Sequence, residues 1–239
     1  MTFPESDAIP RHSWDLRVPE AREIQLALRE RLVLEPPPGF APRLVAGADV
    51  SAERFSRRGY AAVVVLDFAT LEVVDEASAA VDLAFPYVPG YFSFRELPAL
   101  AAAWEKLGTR PDVLVFDGHG VAHPRRFGLA CHGGMLFGVP SIGCAKSILV
   151  GKHGELGAER GSAADLVDKG EVVGVTLRTR TSRNPVYVSA GSRMDLPTAV
   201  EIVLALTPRY RLPETTRRAH HLVNELRLAD RAAREAGGG

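Results

Sequence analysis

Apolar positions along the chain change period near residue 43, and that change separates two kinds of predicted element. Between Val18 and Val33, the residues Ile24, Leu26, Leu28 and Leu32 mix with charges as on a surface helix, which Pro36-Pro37-Pro38-Gly39 ends. From Leu44 the apolar residues run together. Leu44 to Val50, Ala61 to Phe68 and Leu71 to Val81 read as three strands, with turn material at Arg57-Arg58-Gly59 and Asp67 to Thr70. Three strands in succession predict an antiparallel meander. After the loop Pro86-Tyr87-Val88-Pro89-Gly90 comes an alanine-rich helix ending at Gly108. Val113 to Phe116 is then a short buried strand, Leu129 to Phe137 a helix and Ser141 to Ala145 a strand. Val172 to Leu177 and Pro185 to Ala190 add two strands, and helices from about Pro197 and Thr215 close the chain. Strands first and alternating strand and helix later predict a three-layer α/β fold with a central mixed sheet flanked by helices, in one domain over 1–239. Residues 1–17 read as irregular, with Trp14 as an anchor, and 235–239 as a frayed tail.

Composition narrows what such a fold can do. With 46% hydrophobic residues in 239, a sizeable core is attainable. Lys+Arg and Asp+Glu balance at 29 each, so no global field draws the chain to nucleic acid or to an anionic membrane, and any phosphate-binding surface has to be local. The apolar runs stop short of the roughly 20 residues of a membrane span. The start, with Glu5, Asp7 and Pro10, lacks the form of a secretory signal, so a soluble, cytoplasmic protein is expected. Cys131 and Cys144 have no CxxC spacing and fit reduced, buried thiols.

Three carboxylates sit at element ends rather than on a solvated face. Asp117 closes the strand Val113 to Phe116 and precedes the turn Gly118-His119-Gly120, where backbone can approach a ligand. Taken alone, an Asp-Gly pair is more often only a turn. Asp49 lies in an otherwise apolar strand, where an acid has to be paired, hydrogen-bonded or metal-bound. If the two strands are neighbours, both acids can converge on one Mg²⁺, which takes one or two carboxylates plus water and phosphate oxygens. Glu96 has a rival reading: Ser93-Phe94-Arg95-Glu96 matches a capping box. Pro98 fits best at the first helical position, which puts Glu96 just before the helix and favours a ligand or water-positioning role. Lys146 after its strand could hold a phosphate beside such a site. His119 and His123 have a zinc-like spacing, but the glycine between them and the following proline argue against the helix that this spacing needs. Gly138 to Ser147 lacks the adjacent Gly-Lys of a P-loop.

Longer motifs carry more. They are Ala46-Gly47-Ala48-Asp49-Val50, the run from Pro86 to Glu96, the run from Asp117 to Gly128, Gly143-Cys144-Ala145-Lys146-Ser147, Arg183-Asn184-Pro185, and the run from Arg211 to His220. In this order they resemble the endonuclease V family of deaminated-base repair nucleases, which have an RNase H-like fold. The resemblance implies Mg²⁺-dependent cleavage, with Mn²⁺ able to substitute, of DNA containing deoxyinosine. The cut would fall at the second phosphodiester 3′ to the lesion and leave 3′-hydroxyl and 5′-phosphate ends. It implies that Asp49, Glu96 and Asp117 are the metal-binding and catalytic acids, His220 the active-site histidine and Lys146 the active-site lysine. Tyr87 matches the wedge aromatic that fills the gap left by an extruded base. Gly90, Phe92, Gly118 and Leu129 match the pocket for that base, and Gly120 and His123 join them as substrate-binding residues.

One departure stands out: Gly191-Ser192-Arg193 replaces the Gly-His-Arg or Gly-His-Lys common in the family. None of the metal-binding acids is touched by it, so cleavage is expected to survive. His221 is expected on the surface. Arg125, Arg126, Arg178, Arg180 and Arg183 either share one groove for the nucleic-acid backbone or are scattered solvated charges. The rival functions are an inosine-specific endoribonuclease, a nuclease for mismatches or flaps, and a non-catalytic nucleic-acid-binding protein. A monomer with no membrane association is expected.

Overall fold

The computed structural model describes residues 12–52 and 57–237. Residues 1–11 and 238–239, on which part of the expected irregular ends falls, lie outside the described residues.

Three strands, β1 (Leu44–Ala52), β2 (Arg58–Asp67) and β3 (Val73–Asp82), form the predicted antiparallel meander. The chain then alternates: α2 (Phe92–Trp104), β4 (Val113–Phe116), α3 (Leu129–Phe137) and β5 (Ser141–Ala145), after an earlier α1 (Val18–Arg29). β6 (Lys152–His153), β7 (Ala163–Asp168), β8 (Glu171–Leu177) and β9 (Val186–Ala190) follow, and α4 (Leu196–Ala205) and α5 (Glu214–Gly237) end the fold. Among the described residues all nine strands join one mixed sheet in the order β3-β2-β1-β4-β5-β9-β8-β7-β6. β4 runs parallel to both β1 and β5.

The uninterrupted apolar runs are explained by burial on both faces of the sheet. Along β1 and β4, Ala46, Ala48, Leu114 and Phe116 pack with Leu97, Leu100 and Trp104 of α2. The alternate residues Val45, Val113 and Val115 pack on the opposite side with Ile202 and Val203 of α4 and Ala219 of α5. The result is three layers, α2 and α3 on one face and α4 and α5 on the other, as in the RNase H-like fold. Gly47 sets the spacing on the α5 side, because a Cβ there would lie 2.2 Å from the backbone carbon of Thr215. No helix among the described residues is long and apolar enough to cross a membrane.

Three expectations need correcting. α2 starts at Phe92, with Tyr91 as N-cap, so Pro98 lies inside the helix and Glu96 is helical rather than just before it. Pro98 forfeits the bond to the Phe94 carbonyl, but Phe94, Leu97, Ala99 and Leu100 are each 0% exposed, and tertiary packing outweighs the lost hydrogen bond. Ser93, buried in the first turn of α2, bonds His132 Nδ1 at 3.0 Å and forms no capping box. α5 continues to Gly237, so 235–237 are helical and not frayed. β6 and β7 escape prediction: in Ala163–Asp168 only Leu166 is buried, and its aspartates disfavour strand.

Candidate active site

Two parallel strands deliver two acids to the same level. In the β1–β4 register Ala48 pairs with Phe116, so the next residues, Asp49 and Asp117, lie side by side. Asp117 follows the end of β4, whereas Asp49, expected at an element end, sits inside β1, which continues to Ala52 paired with β2. The Asp117 amide reaches the Ala48 carbonyl at 3.5 Å. Glu96 enters from α2. Burial pushes the Glu96 carboxyl up to about 8, and the charges of Asp49 and Asp117 push the same way. Burial also raises Asp49, with Asp117 adding to it against the hydrogen bond from His220. Three carboxylates therefore share one cleft, and their repulsion favours a cation among them.

A lysine and a histidine already face these acids. Lys146 Nζ pairs with Asp117 Oδ2. His220 Nδ1 lies 2.7 Å from Asp49 Oδ2, and Asn224 Nδ2 lies 3.0 Å from His220 Nε2 and donates to the His220 carbonyl at 2.9 Å. The close approach at Gly47 makes this possible. With the start of α5 against β1, His220 arrives just over one turn later, beside an acid two residues along the strand.

The acid cleft is lined by Asp49, Glu96, Asp117, Lys146, His220 and Ser147, and it opens into a recess of about 180 Å³. Gly90, Phe92, Gly118, His123 and Leu129 line the recess, while Phe92, Glu96, Asp117, Gly118, His119 and Ser147 border both. Tyr87 stands beside the recess, 46% exposed, with its ring centroid 4.9 Å from that of Phe92.

The loop carrying Tyr87 is held at Gly90, whose φ of +80° suits glycine. Its carbonyl accepts from His123 Nε2 at 3.0 Å, Arg125 Nη2 at 2.5 Å and Gln25 Nε2 at 3.2 Å. His123 accepts from the Arg125 amide through Nδ1 and is 3% exposed; burial, then the Arg125 charge, pushes it down to about 4. A neutral His123 therefore holds the loop, and with His119 Nε2 bonded to the Ser147 carbonyl at 2.9 Å the pair forms no zinc site. Gly120 is placed in the interior, outside the lining of either cavity. A Cβ there would lie 1.9 Å from the Ala190 oxygen, so its part is close backbone packing.

His119, Gln25 and Ser147 were missed as site residues. The position of His119 after Asp117-Gly118 was the available signal; Gln25 comes from α1 and had none. Ser192 is 4% exposed and turned inward, bonding Ser141 through its amide, with its Cβ beside Gly134. Arg125 is occupied by Gly90 and Gln25, Arg126 by Asp168 and Glu171, and Arg178 by the Gly157 and Arg183 carbonyls, so these three do not form a free basic groove.

The model of the Endonuclease V family matches residues 26–221. The chain belongs to the endonuclease V family. An endonuclease V from Myxococcus xanthus is 62% identical over 222 residues, covering 93% of this chain and 94% of the relative. The crystal structure of an endonuclease V from Streptomyces avermitilis superposes with a TM-score of 0.85 at 48% identity, over 94% of this chain and 96% of that one. A Ciona intestinalis endonuclease V, crystallised with a 24mer DNA containing an inosine followed by a ribo-adenosine, gives a TM-score of 0.72 at 27% identity, over 87% and 96% of the two chains. As an endonuclease V, the chain is a nuclease.

Proposed function

We propose that this endonuclease V cuts DNA at deaminated bases, recognising hypoxanthine and hydrolysing the second phosphodiester 3′ to it with Mg²⁺. The observation that carries the reading is the convergence of Asp49, Glu96 and Asp117 in a cleft continuous with a recess of about 180 Å³ beside an exposed aromatic. The recess is smaller than the roughly 300–1,000 Å³ of a drug-sized site and matches a single base better. The DNA complex of the Ciona relative supports an inosine-containing substrate.

The donor set fits the metal. Carboxylate oxygens without thiolates suit Mg²⁺ or Mn²⁺ and not zinc. Among the described residues no three His, Cys, Asp or Glu side chains form a ready cage; Mg²⁺ is usually held by one or two carboxylates, its shell completed by water and phosphate. Asp49 and Asp117 would hold it, with Glu96 directly or through water, and the ion would supply charge stabilisation at the scissile phosphate.

The chain's own residues do the rest. Tyr87 fills the gap when the damaged base leaves the stack, a move that costs least at a weakly paired base such as inosine. Glu96 orients water toward phosphorus. The new P–O bond forms as the bond to the 3′-oxygen breaks, and protonation of that oxygen leaves a 3′-hydroxyl and a 5′-phosphate. Lys146 places positive charge by the phosphate oxygens. His220 fixes the direction of Asp49.

A labelled duplex with one deoxyinosine, an undamaged control and an RNA counterpart, each with Mg²⁺ or EDTA, tests the reading. Mg²⁺-dependent nicking one nucleotide beyond the inosine is expected. Binding of all three without cutting would reject catalysis, and preferential cutting of the RNA would reassign the substrate.

A further inference from the structure

Between α4 and α5 the chain exposes an aromatic whose neighbour in sequence, Arg211, bonds the backbone of Lys146 in the acid cleft. Tyr210 is 46% exposed, yet its neighbours are tied down. The Arg211 guanidinium donates to the carbonyls of Asn184 at 2.9 Å, Pro185 at 2.7 Å and Lys146 at 3.0 Å. The Thr179 hydroxyl donates to the Arg211 carbonyl at 2.7 Å, and the Glu214 amide to Leu206 at 2.8 Å. Arg217, held by Glu214, lies over the Tyr210 ring with its guanidinium carbon 4.6 Å from the centroid.

Two direct connections join this pair to the site. Arg217 is one helical turn before His220, and the Lys146 carbonyl bound by Arg211 belongs to the lysine that pairs with Asp117. Phe92, Gly90 and Leu129 thus line the recess, Lys146 and His220 line the acid cleft and not the recess, and Tyr210 is tied to these two through Arg217 and the neighbouring Arg211. A strand whose base enters the recess and whose backbone crosses the acids next meets Tyr210.

We propose that Tyr210, backed by Arg217, is a stacking platform for one base of the substrate strand beyond the scissile phosphate. A ring stiffened on one side and open on the other loses little entropy when a base stacks on it. The cation behind it strengthens the contact and offers charge to the neighbouring phosphate. Every base has a π-face, so the platform tolerates any sequence and adds grip without adding lesion specificity. This rests on the strand path of the proposed function.

The test places 2-aminopurine at successive positions 3′ of the inosine and follows its emission in EDTA, where the strand stays intact. Wild type and Tyr210→Phe should quench one position. Tyr210→Ala should lose that quench and bind roughly tenfold more weakly, by the same factor for inosine and undamaged strands. A Tyr210→Leu variant and the unfolding midpoint control for folding. Unchanged quench and affinity in Tyr210→Ala would overturn the platform. Failure of the proposed function shows separately, as wild type that does not cut the inosine strand with Mg²⁺.

Discussion

The acid cleft and the Gly90 anchor use similar residue types to opposite ends. At the anchor, His123, Arg125 and Gln25 each donate to one carbonyl, and His123 is 3% exposed. In the cleft, side chains of Asp49 and Asp117 that are 11% and 18% exposed meet His220 and Lys146, which are 57% and 43% exposed. The partly buried acids are fixed while Lys146 and His220 stand at the solvent edge, where they can exchange an acid for a phosphate. The anchor is satisfied and rigid, and the cleft is left with something still to bind.

The largest expected effect is in the cleft. Asp117→Ala should lower single-turnover cleavage by about 10³-fold or more while inosine-strand binding persists, whereas a loss of binding with cleavage would show that the acid works through the fold. His220→Ala, which frees Asp49 without removing a metal ligand, should cost roughly 10- to 100-fold in the same assay, and an effect as large as that of Asp117→Ala would break the distinction between ligand and support. At the anchor the readout is stability. His123 at about 4 and the fully buried His132 at about 3 both lie below the usual histidine value near 6.5, so the unfolded chain takes up protons first. Their contribution is whole above pH 6.5 and falls as pH drops, by about 3 kcal/mol for His123 toward pH 4 and about 5 kcal/mol for His132 toward pH 3. Urea midpoints at pH 7.5 and 5 check this, and a midpoint that does not move would contradict the buried, neutral ring. The smallest effect belongs to Tyr87→Ala, with binding weakened roughly severalfold and the midpoint unchanged.

The sequence by itself determined most of the strands and singled out the three acids that the fold brings into one cleft. Val113 to Phe116 and Ala61 to Leu66 are buried on both faces, and such strands are continuous apolar runs whatever their neighbours. An aspartate closing such a run stands out for the same reason. Amphipathic strands such as β7, next to the sheet edge, carry one buried residue and leave no comparable trace. The start of α2 was also beyond local reading, because Pro98 signals a first turn and only the packing of Phe94 and Leu97 overrides it. Tertiary structure alone decided that Asp49 and Asp117 come from adjacent parallel strands at one level, that Gly47 lets α5 carry His220 to Asp49, and that Gln25 reaches Gly90 from 65 residues away. Pairing and close approach depend on which surfaces meet, and spacing along the chain does not encode which surfaces those are.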